Sequence, residues 1–248
     1  MSTASSPRLD IEGGVATLRF CRPEEHNRID PDDLAVLMRH FERVLAEPGV
    51  RVLVVSGSGE KTFSSGYTVQ ALREHLDDRL EKMLDTLESL PLPVICALNG
   101  SAYGGAIDLA LCCDFRIGVR GARMFMPAAK FGLHYYPGGL RRYVTRLGLN
   151  TAKKLFLTAQ TLGDEEMLRV GFLNELVDRT QFDATVQAYV KAILECEPGV
   201  VASMKLFLNQ TADGAIDLAA QRAAFVQSLR SDELASRLGG VNKGAVSE

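Results

Sequence analysis

The sequence predicts an α/β core followed by a helical C-terminal region. Over the first half of the 248-residue chain, short apolar runs rich in β-branched residues alternate with segments of helical periodicity. From about residue 138 onward the pattern is almost wholly helical. Strands that alternate with helices, followed by a run of helices, indicate an α/β core with a helical appendage. We therefore expect an α/β core over residues 1–195 and a helical region over residues 196–248.

Composition excludes several classes of protein. The chain is 46% hydrophobic and 24% charged, and its formal net charge is −3, so it offers no basic surface for nucleic acid or an anionic membrane. No apolar run approaches the roughly 20 residues that span a bilayer, and the first residues are polar and lack a signal-peptide core. We expect a cytoplasmic protein without nucleic-acid or membrane partners.

Cysteine and histidine spacing predicts no metal site. The four histidines are scattered, and five cysteines form an odd set without a CxxC pair. We interpret the thiols as reduced, small apolar side chains. They are Cys21, Cys96, Cys112, Cys113 and Cys196.

The first quarter of the chain predicts a hairpin, a helix and a buried strand. Two alternating runs, residues 9–12 and 15–20, flank a pair of glycines that suits a hairpin turn. A helix opens at Asp30-Pro31, with proline early and acids in the first turn, and it ends at Pro48-Gly49. The apolar run at residues 52–55 then predicts a strand that is covered on both faces.

Further helices and strands follow in alternation. A charged helix is expected over about residues 69–90, and a second buried strand over residues 94–97. Gly104-Gly105 opens a short apolar helix that runs to Cys113. The remaining segments are strands at residues 115–119 and 124–126, and helices near residues 150–158, 164–170, 182–194, 200–209 and 216–238.

Two glycine-containing turns each follow a buried strand. The first corner is residues 63–68 and the second corner is residues 99–106. Ligands bind at the carboxyl ends of strands in open α/β sheets, and small residues let backbone N–H groups approach them. Two such amides that converge on one oxygen form an oxyanion hole. Taken singly, each corner is also compatible with an ordinary tight turn.

Six segments in order resemble the crotonase (enoyl-CoA hydratase/isomerase) family. The most specific is residues 99–114, and the resemblance covers roughly residues 8–180. It implies a spiral of ββα units with a helical C-terminal region for trimerisation, and hence a homotrimer or homohexamer. It also implies an acyl-CoA thioester substrate and no cofactor, since coenzyme A is part of the substrate. The six segments are residues 22–27, 52–57, 63–68, 93–114, 131–142 and 171–177.

The resemblance also implies roles for particular residues. The backbone N–H groups of Tyr67 and Gly105 would hold the thioester oxygen as an enolate forms. Arg28, Ser65 and Thr68 would contact the coenzyme A part of the substrate.

The active-site carboxylates depart from the family pattern. Hydratases of this family use two glutamates. The first position holds Asp108, whose side chain is one methylene shorter, and the second position holds Ala128. Asp108 could be the proton-transfer group, with His134 or Tyr135 assisting, or it could belong to a structural network. Those two aromatic residues, and Tyr136 beside them, could equally pack as loop aromatics.

The expected function is therefore that of an acyl-CoA-processing enzyme of the enoyl-CoA hydratase/isomerase type. The missing second glutamate favours isomerisation by one base over hydration. Decarboxylation of a malonyl-type thioester is an alternative, because loss of carbon dioxide generates the enolate without a base. A relative that binds acyl-CoA without catalysis is a further alternative.

Overall fold

The computed structural model describes residues 6–244. The chain folds as two compact units, Met1–Pro198 and Gly199–Glu248. No helix within the described residues is both long and apolar enough to cross a membrane.

Ten strands belong to the first unit. In chain order they are β1 Arg8–Glu12, β2 Val15–Phe20, β3 Val52–Gly57, β4 Thr62–Ser64, β5 Val94–Leu98, β6 Ser101–Tyr103, β7 Phe115–Val119, β8 Arg123–Phe125, β9 Leu162–Gly163 and β10 Glu175–Val177. The predicted hairpin is present, because β1 and β2 pair antiparallel around two glycines with positive φ. From β2 onward the six-stranded sheet is parallel, in the order β1-β2-β3-β5-β7-β10.

Ten α-helices are described along the chain. They are α1 Pro31–Ala46, α2 Leu72–His75, α3 Asp78–Ser89, α4 Gly105–Cys112, α5 Pro137–Thr158, α6 Asp164–Arg169, α7 Arg179–Glu195, α8 Pro198–Ala212, α9 Leu218–Ser228 and α10 Asp232–Gly244. The first of them begins as the sequence predicts, with Asp30 and Asp33 forming a reciprocal capping box around Pro31. The helix α4 is apolar apart from Asp108, and almost all of it is buried.

The strands form repeated ββα units. Each of β3, β5 and β7 lies in the six-stranded sheet, and the strand that follows it turns into a second, four-stranded sheet of order β4-β6-β8-β9. Successive units pair in parallel in both sheets, so the chain advances as a spiral. Because every turn repeats the same path, the corner after β4 lies beside the corner after β6. This architecture is the α/β spiral that the family resemblance implies.

The helix expected over residues 69–90 is divided in the structure. A 3₁₀ turn, Val69–Ala71, leads into α2, and the backbone of Leu76 is extended (φ −77°, ψ 109°). The Asp77 side chain then accepts a hydrogen bond from Arg79 N and caps a new helix, α3. A capping aspartate in the middle of the apolar pattern is the local cause of the break.

Other differences lie in the second half of the chain. The short strand β10 pairs with β7 and completes the sheet, although its three residues carry no strand signal of their own. Helix α5 begins well before the predicted segment and is kinked at Gly148, which has a φ of +77°. The helix expected over residues 216–238 is two helices, α9 and α10.

Candidate active site at two glycine corners

The first corner packs directly against the second. Gly66 has a φ of +80°, and a Cβ at this position would lie 2.6 Å from Tyr103 O and 2.7 Å from Gly105 N. Neither backbone atom can give way as a flexible side chain could. Glycine is therefore required at Gly66 both for its backbone conformation and for the close approach of the two corners.

The backbone amides of Tyr67 and Gly105 lie at this contact. Ile29 N donates to Gly66 O (2.8 Å) and Thr68 N donates to Ile29 O (3.0 Å). Because successive amides of an extended segment alternate in direction, the intervening Tyr67 N–H points away from that pairing. Gly105 is the first residue of α4, so its N–H has no acceptor within the helix. A Cβ on Gly105 would lie 3.6 Å from Tyr67 N, so the two amides are neighbours.

Asn27 fixes the first corner from inside the protein. Its side chain is completely buried, and Nδ2 donates to Ser58 O (2.8 Å) and Thr62 O (2.9 Å). Ser64 Oγ donates to Asn27 O (2.7 Å) and in turn accepts from Gly66 N (3.0 Å). These bonds hold the turn that presents the Tyr67 amide. The sequence indicated Asn27 only as part of a resembling segment.

Arg28 and Thr68 converge on one carboxylate. Arg28 Nε donates to Asp30 (2.9 Å), its Nη1 lies 3.1 Å from Glu25, and Thr68 Oγ1 donates to Asp30 as well. Burial alone would raise the pKa of Asp30, but the Thr68 and Arg28 hydrogen bonds lower it below its ordinary value. Arg28 is thus already paired with two acids. The backbone N–H of Ser65 donates to His26 O (2.8 Å).

Asp108 lies one helical turn beyond Gly105 and is completely buried. Its Oδ1 accepts a hydrogen bond from Arg142 Nε at 2.8 Å. Its Oδ2 accepts from Arg142 Nη2 at 3.3 Å, from the Tyr135 hydroxyl at 3.3 Å and from the Tyr136 hydroxyl. Both carboxylate oxygens therefore accept hydrogen bonds, one donor on Oδ1 and three on Oδ2. We call these four residues the Asp108 cluster.

Arg142 connects the cluster to a neighbouring helix. Its side chain is also completely buried, and Nη1 donates to Asp85 (2.7 Å) and Glu88 (3.2 Å) of α3. Burial by itself would lower the pKa of Arg142, but the surrounding anionic groups, including Asp108, raise it above its ordinary value. Arg142 therefore stays charged and balances the buried carboxylate. The sequence placed Arg142 in a resembling segment, but no periodicity marked it as buried.

The two tyrosines of the cluster differ in exposure. Tyr135 is only 9% exposed, and its ring stacks on that of Tyr136 with a centroid separation of 4.5 Å. Tyr136 is half-buried. Burial, followed by the negative charge of Asp108, raises the pKa of both phenols. Both therefore keep their protons at neutral pH and act as donors.

His134 is not brought to Asp108. Its side chain is exposed, and Nδ1 lies 2.8 Å from Tyr135 O. The loop turns the imidazole outward while the next two residues turn inward, so His134 does not share in the hydrogen bonds of Asp108 as Tyr135 does. Ala128, in a 3₁₀ turn after Pro127, is buried and supplies only a methyl group.

A family model described as enoyl-CoA hydratase/isomerase matches residues 10–236. A short-chain-enoyl-CoA hydratase from Clostridium acetobutylicum is 30% identical over 234 residues, which cover 91% of this chain and 90% of the relative. A crotonyl-CoA hydratase from Syntrophomonas wolfei is 30% identical over 218 residues, or 85% of this chain and 84% of the relative.

Solved structures share the fold. An enoyl-CoA hydratase/carnithine racemase from Magnetospirillum magneticum superposes with a TM-score of 0.88 at 23% identity, covering 96% of this chain and 92% of that one. An enoyl-CoA hydratase from Bacillus anthracis superposes with a TM-score of 0.87 at 21% identity, covering 96% of both chains. The match of the family model over most of the chain agrees with the ββα spiral and the paired glycine corners. The chain belongs to the enoyl-CoA hydratase/isomerase family, the crotonases.

Proposed function

We propose that the protein acts on an acyl-CoA thioester and stabilises its enolate between the backbone N–H groups of Tyr67 and Gly105. The observation that carries this proposal is the close contact of the two glycine corners, which makes these amides neighbours. A thioester enolate concentrates negative charge on one oxygen. Preorganised amides stabilise such an oxygen, and each donor contributes about 3 kcal/mol to the transition state by analogy with measured oxyanion holes.

The reaction class follows from the acid and base groups beside the hole. Hydration by two carboxylates is disfavoured because Ala128 supplies none. Asp108 remains as the ultimate acceptor for a proton from the acyl α-carbon, with Tyr135 holding its carboxylate. Removal of the α-proton followed by protonation at the γ-carbon moves a double bond. We therefore favour isomerisation of an enoyl thioester.

Decarboxylation is the second candidate, and the donors that surround the Asp108 carboxylate favour it. The four donors to Asp108 weaken it as a base. In a malonyl-type thioester, the bond between the α-carbon and the carboxylate breaks and its electrons form the enolate. Carbon dioxide leaves, and the α-carbon then takes up a proton.

The remaining contacts are proposed from the family. Arg28, Ser65 and Thr68 would bind the coenzyme A part, with Arg28 exchanging its acidic partners for phosphate. The curated hydratases named above act on short acyl groups, which supports a short acyl chain. The proposed chemistry uses amides, a carboxylate and phenols, so it needs no cofactor beyond the coenzyme A of the substrate.

A homotrimer or homohexamer is the proposed assembly. Large apolar side chains of the second unit are exposed in the single chain, which supports burial against other copies. Those more than half exposed are Met204, Leu206, Leu208, Leu218, Phe225, Leu229 and Leu238. Light scattering coupled to size-exclusion chromatography measures the assembly directly.

A substrate panel tests the reaction. The purified enzyme is incubated with but-3-enoyl-CoA, crotonyl-CoA and methylmalonyl-CoA, and the products are separated by liquid chromatography with mass detection. We expect but-3-enoyl-CoA to give its conjugated isomer, whereas methylmalonyl-CoA would give propionyl-CoA if the second candidate is correct. Rapid hydration of crotonyl-CoA would contradict the preference against hydratase activity. Tight binding of the panel without any turnover would establish the non-catalytic alternative.

A further inference from the structure

We infer that Tyr136 is the catalytic residue that passes the proton between the acyl α-carbon and Asp108. The inference rests on the proposed function and specifies which group of the Asp108 cluster touches the substrate. In it, Asp108 is the final proton acceptor and acts through the phenol.

Burial separates Asp108 from any ligand. Its side chain is 0% exposed, and donors from Arg142, Tyr135 and Tyr136 surround the carboxylate. A substrate atom could reach it only by displacing one of these donors. Displacing Arg142 would leave the buried Asp108 carboxylate without the cation that balances its charge, which is strongly unfavourable. A proton must therefore pass between the substrate and Asp108 through a group that already contacts the carboxylate.

Of the two phenols on Asp108, Tyr136 is the one with an accessible side. Tyr135 is enclosed by other rings, with centroids 6.0 Å from Tyr143 and 5.1 Å from Phe156. A Cβ on Gly139 would lie 2.3 Å from Tyr135 Cε1, so the backbone of α5 closes its remaining edge. The ring of Tyr136 stacks on that of Tyr135 and is only half-buried.

The position of Asp108 in α4 brings the phenol near the proposed oxyanion hole. Residues three apart lie on the same face of a helix, and side chains lean toward the helix N-terminus. The Asp108 carboxylate is therefore directed toward the turn that begins with Gly105, within about one helical pitch of 5.4 Å. The Tyr136 hydroxyl is hydrogen-bonded to Asp108 Oδ2 and so lies near the same helical turn. Ala128, at the position of the family's second glutamate, supplies no competing carboxyl.

The proton-transfer step is balanced without any further reactant. The α-carbon–hydrogen bond breaks and its electrons form the enolate held by the two amides. The proton goes to the Tyr136 oxygen while the original phenol proton moves along the existing hydrogen bond to Asp108 Oδ2. Tyr136 is a phenol before and after the step, in keeping with the raised pKa that opposes a phenolate. The reverse step protonates the enolate.

The test measures exchange of the α-protons of butyryl-CoA in D2O by mass spectrometry, with binding measured separately by calorimetry. We expect Tyr136→Phe to lower the exchange rate at least about 100-fold, in the range of general acid–base catalysis, while the dissociation constant changes less than about 3-fold. The control is Tyr143→Phe. Tyr143 is fully buried in the same aromatic group, and its hydroxyl has no partner among the described residues. We expect this variant to exchange like the wild type.

The outcomes separate this inference from the function on which it rests. If the wild type exchanges and Tyr136→Phe exchanges equally fast, Tyr136 is not the proton carrier and the inference fails alone. An equal loss in Tyr143→Phe would attribute the effect to packing and also overturn it. If the wild type binds butyryl-CoA without exchange, proton abstraction by the cluster is wrong, and the inference falls with it.

Discussion

Replacing Gly66 by alanine tests whether the contact of the two corners is required for catalysis. The added Cβ would lie 2.7 Å from Gly105 N and 3.0 Å from Ala106 N. Ordinary van der Waals contact begins at about 3.4 Å and the nearest atom, Tyr103 O, would lie at 2.6 Å, so the corners must separate by about 0.8 Å to admit the methyl group. Catalytic groups need placement within about 0.5 Å of their productive positions. The two amides would therefore no longer face one oxygen.

The expected losses in turnover and in folding free energy can be estimated separately. Removal of one oxyanion-hole donor lowers turnover about 100- to 1,000-fold, and we expect Gly66→Ala to fall in this range. A non-glycine residue in left-handed conformation costs about 1–2 kcal/mol of folding free energy. Overpacking against backbone adds about 1–3 kcal/mol. The variant should thus fold, but with reduced stability.

Gly121→Ala supplies a matched control. Gly121 has a φ of +82°, close to the +80° of Gly66, but a Cβ there would meet nothing within 4 Å. It should bear the same conformational cost and keep full activity. The assay compares kcat and KM for whichever thioester the panel identifies, together with urea unfolding of both variants. A Gly66→Ala enzyme whose kcat stays within about 3-fold of that of Gly121→Ala would refute the proposed oxyanion hole.

Three further changes address the interior. Asp108→Asn removes the buried carboxylate charge that faces Arg142 Nε and Nη2, so we expect a loss of about 3 kcal/mol in urea unfolding and loss of activity in the exchange assay. A stable, active variant would contradict both roles. Burial would raise the pKa of Glu88, but Arg141 and Arg142 hold it below its ordinary value of 4.5. The stability that this carboxylate contributes is therefore present above about pH 5 and is lost as the pH falls through the pKa of Glu88 in the folded protein. In Glu88→Gln, the free energy of unfolding should change less with pH over this acidic range. Asn27→Ala leaves several buried groups without partners, so it should lower the melting temperature, at a cost of about 1–3 kcal/mol in folding free energy. It should also lower kcat. An unchanged kcat would show that the first corner keeps its shape without this side chain.

The elements that sequence reasoning placed well have strong local causes. Residues 52–55 form a buried strand because a run of β-branched residues suits a parallel sheet covered on both faces. The helix after Asp30 begins where proline and a capping acid require it. The break at Leu76 was missed, because the apolar spacing continues across it while the cap of Asp77 decides the backbone.

The Asp108 cluster shows where local signals end. The sequence identified Asp108, and it left open whether this residue acts in catalysis or in a buried network. It gave no reason to prefer Tyr136 to His134, since adjacent residues of a loop can point either way. The structure turns His134 outward and Tyr136 toward the carboxylate. It also adds Arg142, which comes from another helix.

The sequence by itself determined the alternation of strands and helices and the glycine at each corner, because apolar periodicity and backbone conformation depend on neighbouring residues. The spiral followed from the resemblance to the family. Only the tertiary structure decided that the two corners touch and that Asp108 is completely buried among donors from Arg142, Tyr135 and Tyr136. Those facts depend on contacts between residues far apart in the chain, such as Gly66 with Gly105 and Asp108 with Arg142. Side-chain direction, burial and the sharing of hydrogen bonds arise only when separate elements pack together.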